Sequence, residues 1–167
     1  MVVHTSGSST LSVVHSKNRA GVFYPLQTFT KGKSIDFTTI PICLEAENEL
    51  DYALLTTLGS ALSQTVLTID SEQRKSLHVT AVFVCNFVNH LYEIGAEICE
   101  KNDVPFEILH PLIQETAHKI TERSPREAQT GPALRNDTKT ITQHLDFLEN
   151  STYQNIYQIL TQSIQQV

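Results

Sequence analysis

The sequence predicts an α+β fold, mainly α, in which a small α/β sheet precedes an all-α helical region. Three observations lead there. Residues 1–70 hold short β-branched runs divided by Gly, Pro and Ser, with one stretch of helical periodicity before the last run. From Asp70 onward, apolar residues recur at helical spacing, with caps and breakers between the runs. The 167 residues are 40% hydrophobic and 18% charged, enough core for one ordinary domain, or for a small domain and part of another. That composition excludes a disordered tail and a disulfide-stapled miniprotein.

Val2-Val3-His4-Thr5 predicts the first strand, ended by the turn Ser6-Gly7-Ser8. Gly21-Val22-Phe23-Tyr24 predicts the second, stopped by Pro25. Thr38 to Leu44 predicts a third, and Pro41 inside it calls for an edge position or an irregularity. Thr65 to Ile69 alternates and makes a fourth. Glu47 to Leu62 carries apolar residues at 50, 53/54, 58 and 61/62, the stripe of an amphipathic helix. Four strands with one helix leave a sheet face uncovered. The missing partners are therefore expected upstream, with this chain as the C-terminal part of a longer protein.

The character changes at Asp70, so the expected division is 1–70 and 71–167. Asp70-Ser71-Glu72-Gln73 is a helix start, and the helix runs to about Lys101. Its middle, Leu77 to Leu91, is apolar nearly all round, which predicts a central helix surrounded by neighbours. The next helix opens near Val104-Pro105, with a buried stripe of Phe106, Leu109, Leu112/Ile113, Thr116/Ala117 and Ile120 and a kink at Pro111. A loop from Ser124 to Asp137 follows, then amphipathic helices over Thr138–Glu149 and Thr152–Gln165. The second part is thus an all-α unit of about four helices.

The net charge of −6 is unevenly spread: residues 1–35 hold four basic residues and no acid. The acidic total argues against general nucleic-acid binding, which needs a basic surface. No apolar stretch reaches the roughly 18 residues that span a bilayer, and no signal peptide is expected. A cytoplasmic protein with no membrane or nucleic-acid partner is expected. Cys43, Cys85 and Cys99 are odd in number and widely spaced, so reduced thiols are expected rather than zinc ligands or disulfides.

His78, Asn86, Asn89 and His90 interrupt the apolar middle of the long helix. Eleven residues at about 100° each return to within about 20°, so His78 and Asn89 share one face, with Asn86 and His90 on an adjoining one. One reading is a polar cleft where His78 transfers a proton and Asn89 orients a substrate oxygen. The other is a set of internal hydrogen bonds or a dimer contact. Thr130-Gly131-Pro132 with Arg135 fits a backbone approach and a carboxylate or phosphate clamp, and equally a plain loop. Ser6-Gly7 after a strand fits a ligand contact or a simple turn. Glu107-x-x-His110 and Glu115-x-x-His118 lie on one helix roughly 12 Å apart, too far to share a metal pair, and no metal site is expected. G-x-G-x-x-G, G-x-x-x-x-G-K-[ST] and G-x-S-x-G are all absent from the sequence.

These pieces also carry a resemblance. His4-Thr5-Ser6-Gly7, the run Gly21 to Phe29 and Ile40-Pro41-Ile42 resemble the closing strands of the dinucleotide domain in a family assigned as NAD(P)-dependent oxidoreductases. Ser71-Glu72-Gln73-Arg74-Lys75 with Leu77-His78, Asn86-Phe87 with Asn89-His90-Leu91, and Arg126 to Ala133 resemble that family's helical C-terminal domain of unknown function. The architecture is similar to pyrroline-5-carboxylate reductase and the 6-phosphogluconate dehydrogenase superfamily.

The resemblance implies a Gly-rich nucleotide-binding half before residue 1. Residues 1–70 are then the remnant of a Rossmann-like sheet, and residues 71–167 a helical substrate and dimerisation domain of the 6-phosphogluconate dehydrogenase C-terminal type. It implies NADP or NAD as cofactor, a small carbonyl, imine or hydroxy substrate, a homodimer, and no hydride transfer by this chain alone. His78 and Asn89 would be catalytic, with Asn86, Thr130, Gly131 and Arg135 on the substrate and Ser6, Gly7 and Pro25 near the cofactor. The β-hydroxyacid dehydrogenases pair a Lys with an Asn one turn later. Here Lys75 is followed one turn later by Val79, so the lysine's role is not carried over, and His78 is the substitute candidate. The alternative is a non-catalytic helical dimerisation or ligand-binding module.

Overall fold

A computed structural model describes residues 1–166. The chain forms two compact units, Met1–Asn89 and His90–Val167. Four short strands and a majority of helical residues make the fold α+β, mainly α. In the first unit β1 (Val2–His4), β2 (Ala20–Pro25), β3 (Ile42–Ala46) and β4 (Val66–Thr68) lie side by side in chain order. β1 is parallel to β2, β3 antiparallel to β2, and β4 parallel to β3. In the antiparallel register Tyr24 stands opposite Cys43 and Pro25 opposite Ile42.

The third strand begins four residues later than the sequence suggests. Asp36 accepts the Thr38 N–H at 3.0 Å and winds Phe37–Thr39 into a 3-10 turn instead. Pro41 then stands just outside the ladder, where its missing N–H costs nothing, and its carbonyl accepts the Leu26 N–H at 2.9 Å. β3 is accordingly an interior strand, not an edge.

Helix α1 (Glu49–Leu62) is capped by the Asn48 side chain and lays Leu55 on Ile42 and Leu44, with Phe23, Tyr52 and Val66 around them. Gly59 lets it approach β4: a Cβ there would lie 3.2 Å from a Val66 methyl. At the end of α1 the buried Ser63 hydroxyl donates to the Ile40 carbonyl at 2.5 Å.

Helix α2 (Ser71–Ala81) starts on a capping box between Asp70 and Gln73. Its Arg74 is 1% exposed. The guanidinium donates to the Ser6 carbonyl at 3.2 Å, to the Ser9 carbonyl and to the Glu45 carboxylate of β3. Ser71 donates to the same carboxylate at 2.9 Å. One side chain therefore ties the loop after β1, strand β3 and the start of α2 together.

After α2 the helix continues through six π-helical residues, Val82–Phe87, into α3 (Val88–Lys101). Its apolar middle is not surrounded, which corrects the expectation. Phe83 is 63% exposed, Val84 60% and Phe87 51%. A helix apolar all round needs neighbours on every side. Within the first unit the covered side is the one bearing Arg74, Leu77, His78, Ala81 and Val82. The expected buried polar seam fails with it: His78 is half-buried, whereas Asn86, Asn89 and, in the second unit, His90 are exposed.

The second unit holds the rest of α3, then α4 (His110–Glu122), α5 (Pro125–Ala128), α6 (Thr138–Phe147) and α7 (Ser151–Gln165). Pro111 occupies the first turn of α4 behind a 3-10 turn, Phe106–Leu109, so it starts that helix rather than kinking it. Of the predicted stripe, Phe106, Leu109 and Ile113 are half-buried, but Leu112, Thr116, Ala117 and Ile120 face outward. The expected loop from Ser124 contains α5, closed by a Ser124–Glu127 capping box. The α6–α7 hairpin is pinned by the Gln154 amide donating to the Leu145 and Leu148 carbonyls at 2.9 and 2.7 Å. Among the described residues of this unit, Ile94 and Ala133 are the buried hydrophobic ones. Among the described residues no helix is long and apolar enough to cross a membrane.

Truncating Arg74 removes the cation and leaves the Glu45 carboxylate, 15% exposed, without its partner. Arg74→Ala is expected to lower stability by about 3–5 kcal/mol in urea unfolding. The exposed neighbour change Lys75→Ala should stay within about 0.5 kcal/mol. Equal effects of the two would remove Arg74 from its organising position.

Candidate functional site

The loop after β1 is wound by one hydroxyl. Ser6 Oγ accepts the Ser8 and Ser9 N–H groups at 3.3 and 3.1 Å, while the Ser6 N–H donates to His4 Nδ1 at 3.2 Å. Arg74 holds the loop by the two carbonyls named above. One turn later on the same helix face comes His78, so the residue that fixes the loop also fixes the imidazole against it. Gly7 is buried at that contact. A Cβ at position 7 would lie 2.7 Å from His78 Nδ1 and 3.0 Å from the Tyr24 hydroxyl. No side chain fits there, and the site needs glycine for close approach.

Tyr24, at the end of β2, and His78 both line an open crevice of about 560 Å³. Its walls are Tyr24, the segment from Leu26 to Phe29 and the helix face from Leu77 to Asn86. Among the described residues nothing hydrogen-bonds to the His78 ring, the Tyr24 hydroxyl or the Asn86 amide. These polar groups are free to meet a ligand. Burial, and then the neighbouring Cys43, push the Tyr24 phenol above its usual range against a smaller opposing pull from Arg74. Tyr24 is therefore a neutral hydroxyl at physiological pH, able to donate a hydrogen bond. Burial likewise raises the Cys43 thiol, which stays protonated.

The π-helical segment decides which asparagine joins this crevice. In a regular α-helix Asn89 would fall within about 20° of His78 and Asn86 about 80° away. An i→i+5 turn takes up one extra residue, setting everything beyond it back by about 100°. Asn86 then lies nearly in line with His78, and Asn89 rotates off that line. Asn86 accordingly lines the crevice with His78, and Asn89 is exposed outside it.

Of the other predicted site residues, Gly7 lies at the contact and Ser6 supports it from within the loop. Pro25 does not line the crevice; it closes the β2 ladder opposite Ile42. Thr130, Gly131 and Arg135 belong to the second unit. There Gly131 adopts φ +107°, a conformation that favours glycine, and Thr130 and Arg135 are exposed. Sequence reasoning missed Tyr24. Its signal was the alternation of β2, which sends Tyr24 and Val22 to one side of the sheet, but nothing in the sequence says that this side faces Gly7. The second unit has its own apolar crevice of about 300 Å³, walled by Leu91, Ile94, Phe147, Ile156 and Leu160.

Residues 40–164 match the family model described as "Domain of unknown function (DUF2520)". The chain belongs to this family. Among solved structures, the DUF2520 chain is similar to "putative NADP oxidoreductase BF3122" from Bacteroides fragilis, at 46% identity and a TM-score of 0.94. The similarity covers 99% of this chain and 64% of that protein. Protein TM1727 from Thermotoga maritima is similar at 20% identity with a TM-score of 0.79, covering 98% of this chain and 67% of that one. That second likeness shows the shared fold alone. Among curated proteins there is no match.

The Gly7 contact is directly testable. Gly7→Ala should drive the His78 ring out of place, costing about 1–3 kcal/mol in stability through overpacking. The same change should move the His78 ring signals in NMR spectra while leaving His144 unchanged. Unmoved His78 signals in a folded variant would contradict the close approach.

Proposed function

We propose that the intact protein is an NAD(P)-dependent oxidoreductase, and that the crevice beside Gly7 holds the reacting end of its substrate. The observation that carries this reading is the convergence of His78 and Tyr24, both without protein partners, on a buried position that has no side chain. It lies just beyond the carboxyl end of β1, where open α/β sheets bind ligands. The 46% identity to a protein described as a "putative NADP oxidoreductase" supports the same reading. The two units are proposed as a Rossmann-like remnant and a helical domain of the 6-phosphogluconate dehydrogenase C-terminal type.

The residues present fit the reactive end of a nicotinamide cofactor. Gly7 is filled by His78 and Tyr24 themselves, so the room for a flat ring is the open crevice of about 560 Å³ that those two residues line. Residues 1–166 include no glycine-rich helix start for a pyrophosphate, so tight binding and turnover are assigned to the longer protein. When bound, the cofactor supplies or accepts a hydride. His78 exchanges a proton with the reacting oxygen or nitrogen of a small carbonyl, imine or hydroxy substrate. Asn86, rather than Asn89, orients that group.

In the full-length protein, His78→Ala should lower kcat by about 10²–10⁴-fold. NADPH affinity, followed by fluorescence titration, should change far less. Asn86→Ala should raise KM, and Asn89→Ala should leave both constants near wild type. Unchanged turnover in His78→Ala would remove that residue from the chemistry.

The exposed apolar side of the long helix favours a second, compatible reading: a cytoplasmic homodimer formed through this surface. Val79, Phe83, Val84 and Phe87 are all at least half exposed on the first unit, a patch of the kind that marks an interaction site. Phe83→Glu with Phe87→Glu should shift sedimentation from dimer to monomer at unchanged helicity. A wild-type chain that stays monomeric at high micromolar concentration would refute the dimer.

A further inference from the structure

We propose that Tyr24 is a second catalytic residue of the crevice and that, with His78, it selects a carbonyl or alcohol oxygen over an imine nitrogen. This rests on the oxidoreductase reading and narrows its substrate class. The Tyr24 hydroxyl and His78 Nδ1 both lie within 3.0 Å of one point, the position a Cβ would take on Gly7. Both residues line the same crevice, and no protein partner is hydrogen-bonded to either group among the described residues. The two groups are thus no more than about 6 Å apart, and a ligand atom in the crevice between them can meet a phenol O–H and an imidazole N–H together.

The number of donors discriminates between substrates. A carbonyl or alkoxide oxygen has lone pairs to accept two hydrogen bonds at once. A neutral imine nitrogen has one lone pair, and a protonated imine has none and is best matched by a carboxylate. The polar side chains lining the crevice are Tyr24, Gln27, Thr28, His78, Thr80, Cys85 and Asn86, with no carboxylate among them. Two donors and no anion suit an oxygen on which negative charge develops.

In the reducing direction the carbonyl carbon receives a hydride, with its electron pair, from the reduced nicotinamide. The C=O π pair moves onto oxygen, and that oxygen takes the proton of His78 to give the alcohol, leaving neutral imidazole and oxidised nicotinamide. Tyr24 keeps its proton throughout and holds the oxygen by a hydrogen bond. Alcohol oxidation is the same sequence reversed.

The test uses the full-length protein, matched panels of small ketones, aldehydes and cyclic imines, and the variant Tyr24→Phe, which removes one oxygen atom. The expected result is turnover of carbonyl compounds in preference to imines. Tyr24→Phe should lose about 10–10³-fold in kcat for carbonyl compounds while KM for NADPH and the melting temperature stay within error. Wild-type preference for imines, or an unaltered kcat in Tyr24→Phe, would overturn the proposal. Failure of the wild type on every substrate would instead strike the oxidoreductase reading. Tyr24 is then judged by isotope-edited infrared spectra of ¹³C-carbonyl cyclohexanone added to the protein. A carbonyl stretch displaced by wild type and less displaced by Tyr24→Phe supports the hydrogen bond, and equal positions overturn it.

Discussion

The buried guanidinium of Arg74 is the constraint on which the first unit depends. It is nearly inaccessible to water, yet it carries a full charge, so it must be surrounded by acceptors. Glu45 supplies the counter-charge, and the Ser6 and Ser9 carbonyls supply two further acceptors. Those acceptors come from two strand ends that no hydrogen-bond ladder joins directly, since β1 pairs with β2 and not with β3. The charge thereby makes three separate pieces of chain position-dependent on one another. A hydrophobic residue of similar volume could fill the space without setting the direction of the Ser6–Ser9 carbonyls.

That direction matters because the loop has little else to hold it. The hydroxyl of Ser6 closes it internally, and the glycine at its tip accepts the crowding of an imidazole and a phenol. The reactive-looking groups stand on the more rigid partners, a strand and a helix, while the loop between them is shaped by the ion pair beneath. This is the arrangement expected where precise placement of polar groups outweighs local stability. The apolar helix surface beyond the crevice has the opposite character, with large side chains left uncovered and no polar network to order them.

Much of this was legible in the sequence. Strand-forming runs, the cap at Asp70, the long helix to Lys101 and the final helical hairpin all follow from local signals that survive folding, whereas the short helix after Ser124 was read as loop. Ser6-Gly7 and His78 were each singled out separately in the sequence, and the fold brings Gly7 against the His78 ring. What escaped detection depended on neighbours. Pro41 reads as a flaw inside a strand until the Asp36 cap shows that the strand has not yet begun. Pro111 reads as a kink because a 3-10 turn preceding a helix leaves no periodic mark. The apolar centre of the long helix was taken as interior because composition reports what a surface prefers to touch, not whether this chain supplies it. The role of Arg74 escaped because nothing local announces a carboxylate 29 residues earlier in the chain. Asn89 was favoured over Asn86 on the assumption of uniform helical winding.

The six residues from Val82 to Phe87 also bear on how such a protein can change over time. Deleting any one of them would let the helix relax to ordinary winding with little loss of hydrogen bonds, so the protein would survive the loss. Side chains beyond the deletion would keep their direction about the axis, because the residue removed is the one that the wide turn had absorbed. The stretch is thus a place where two descendants of one fold can differ by a residue in length and still present the same helix faces to everything that follows.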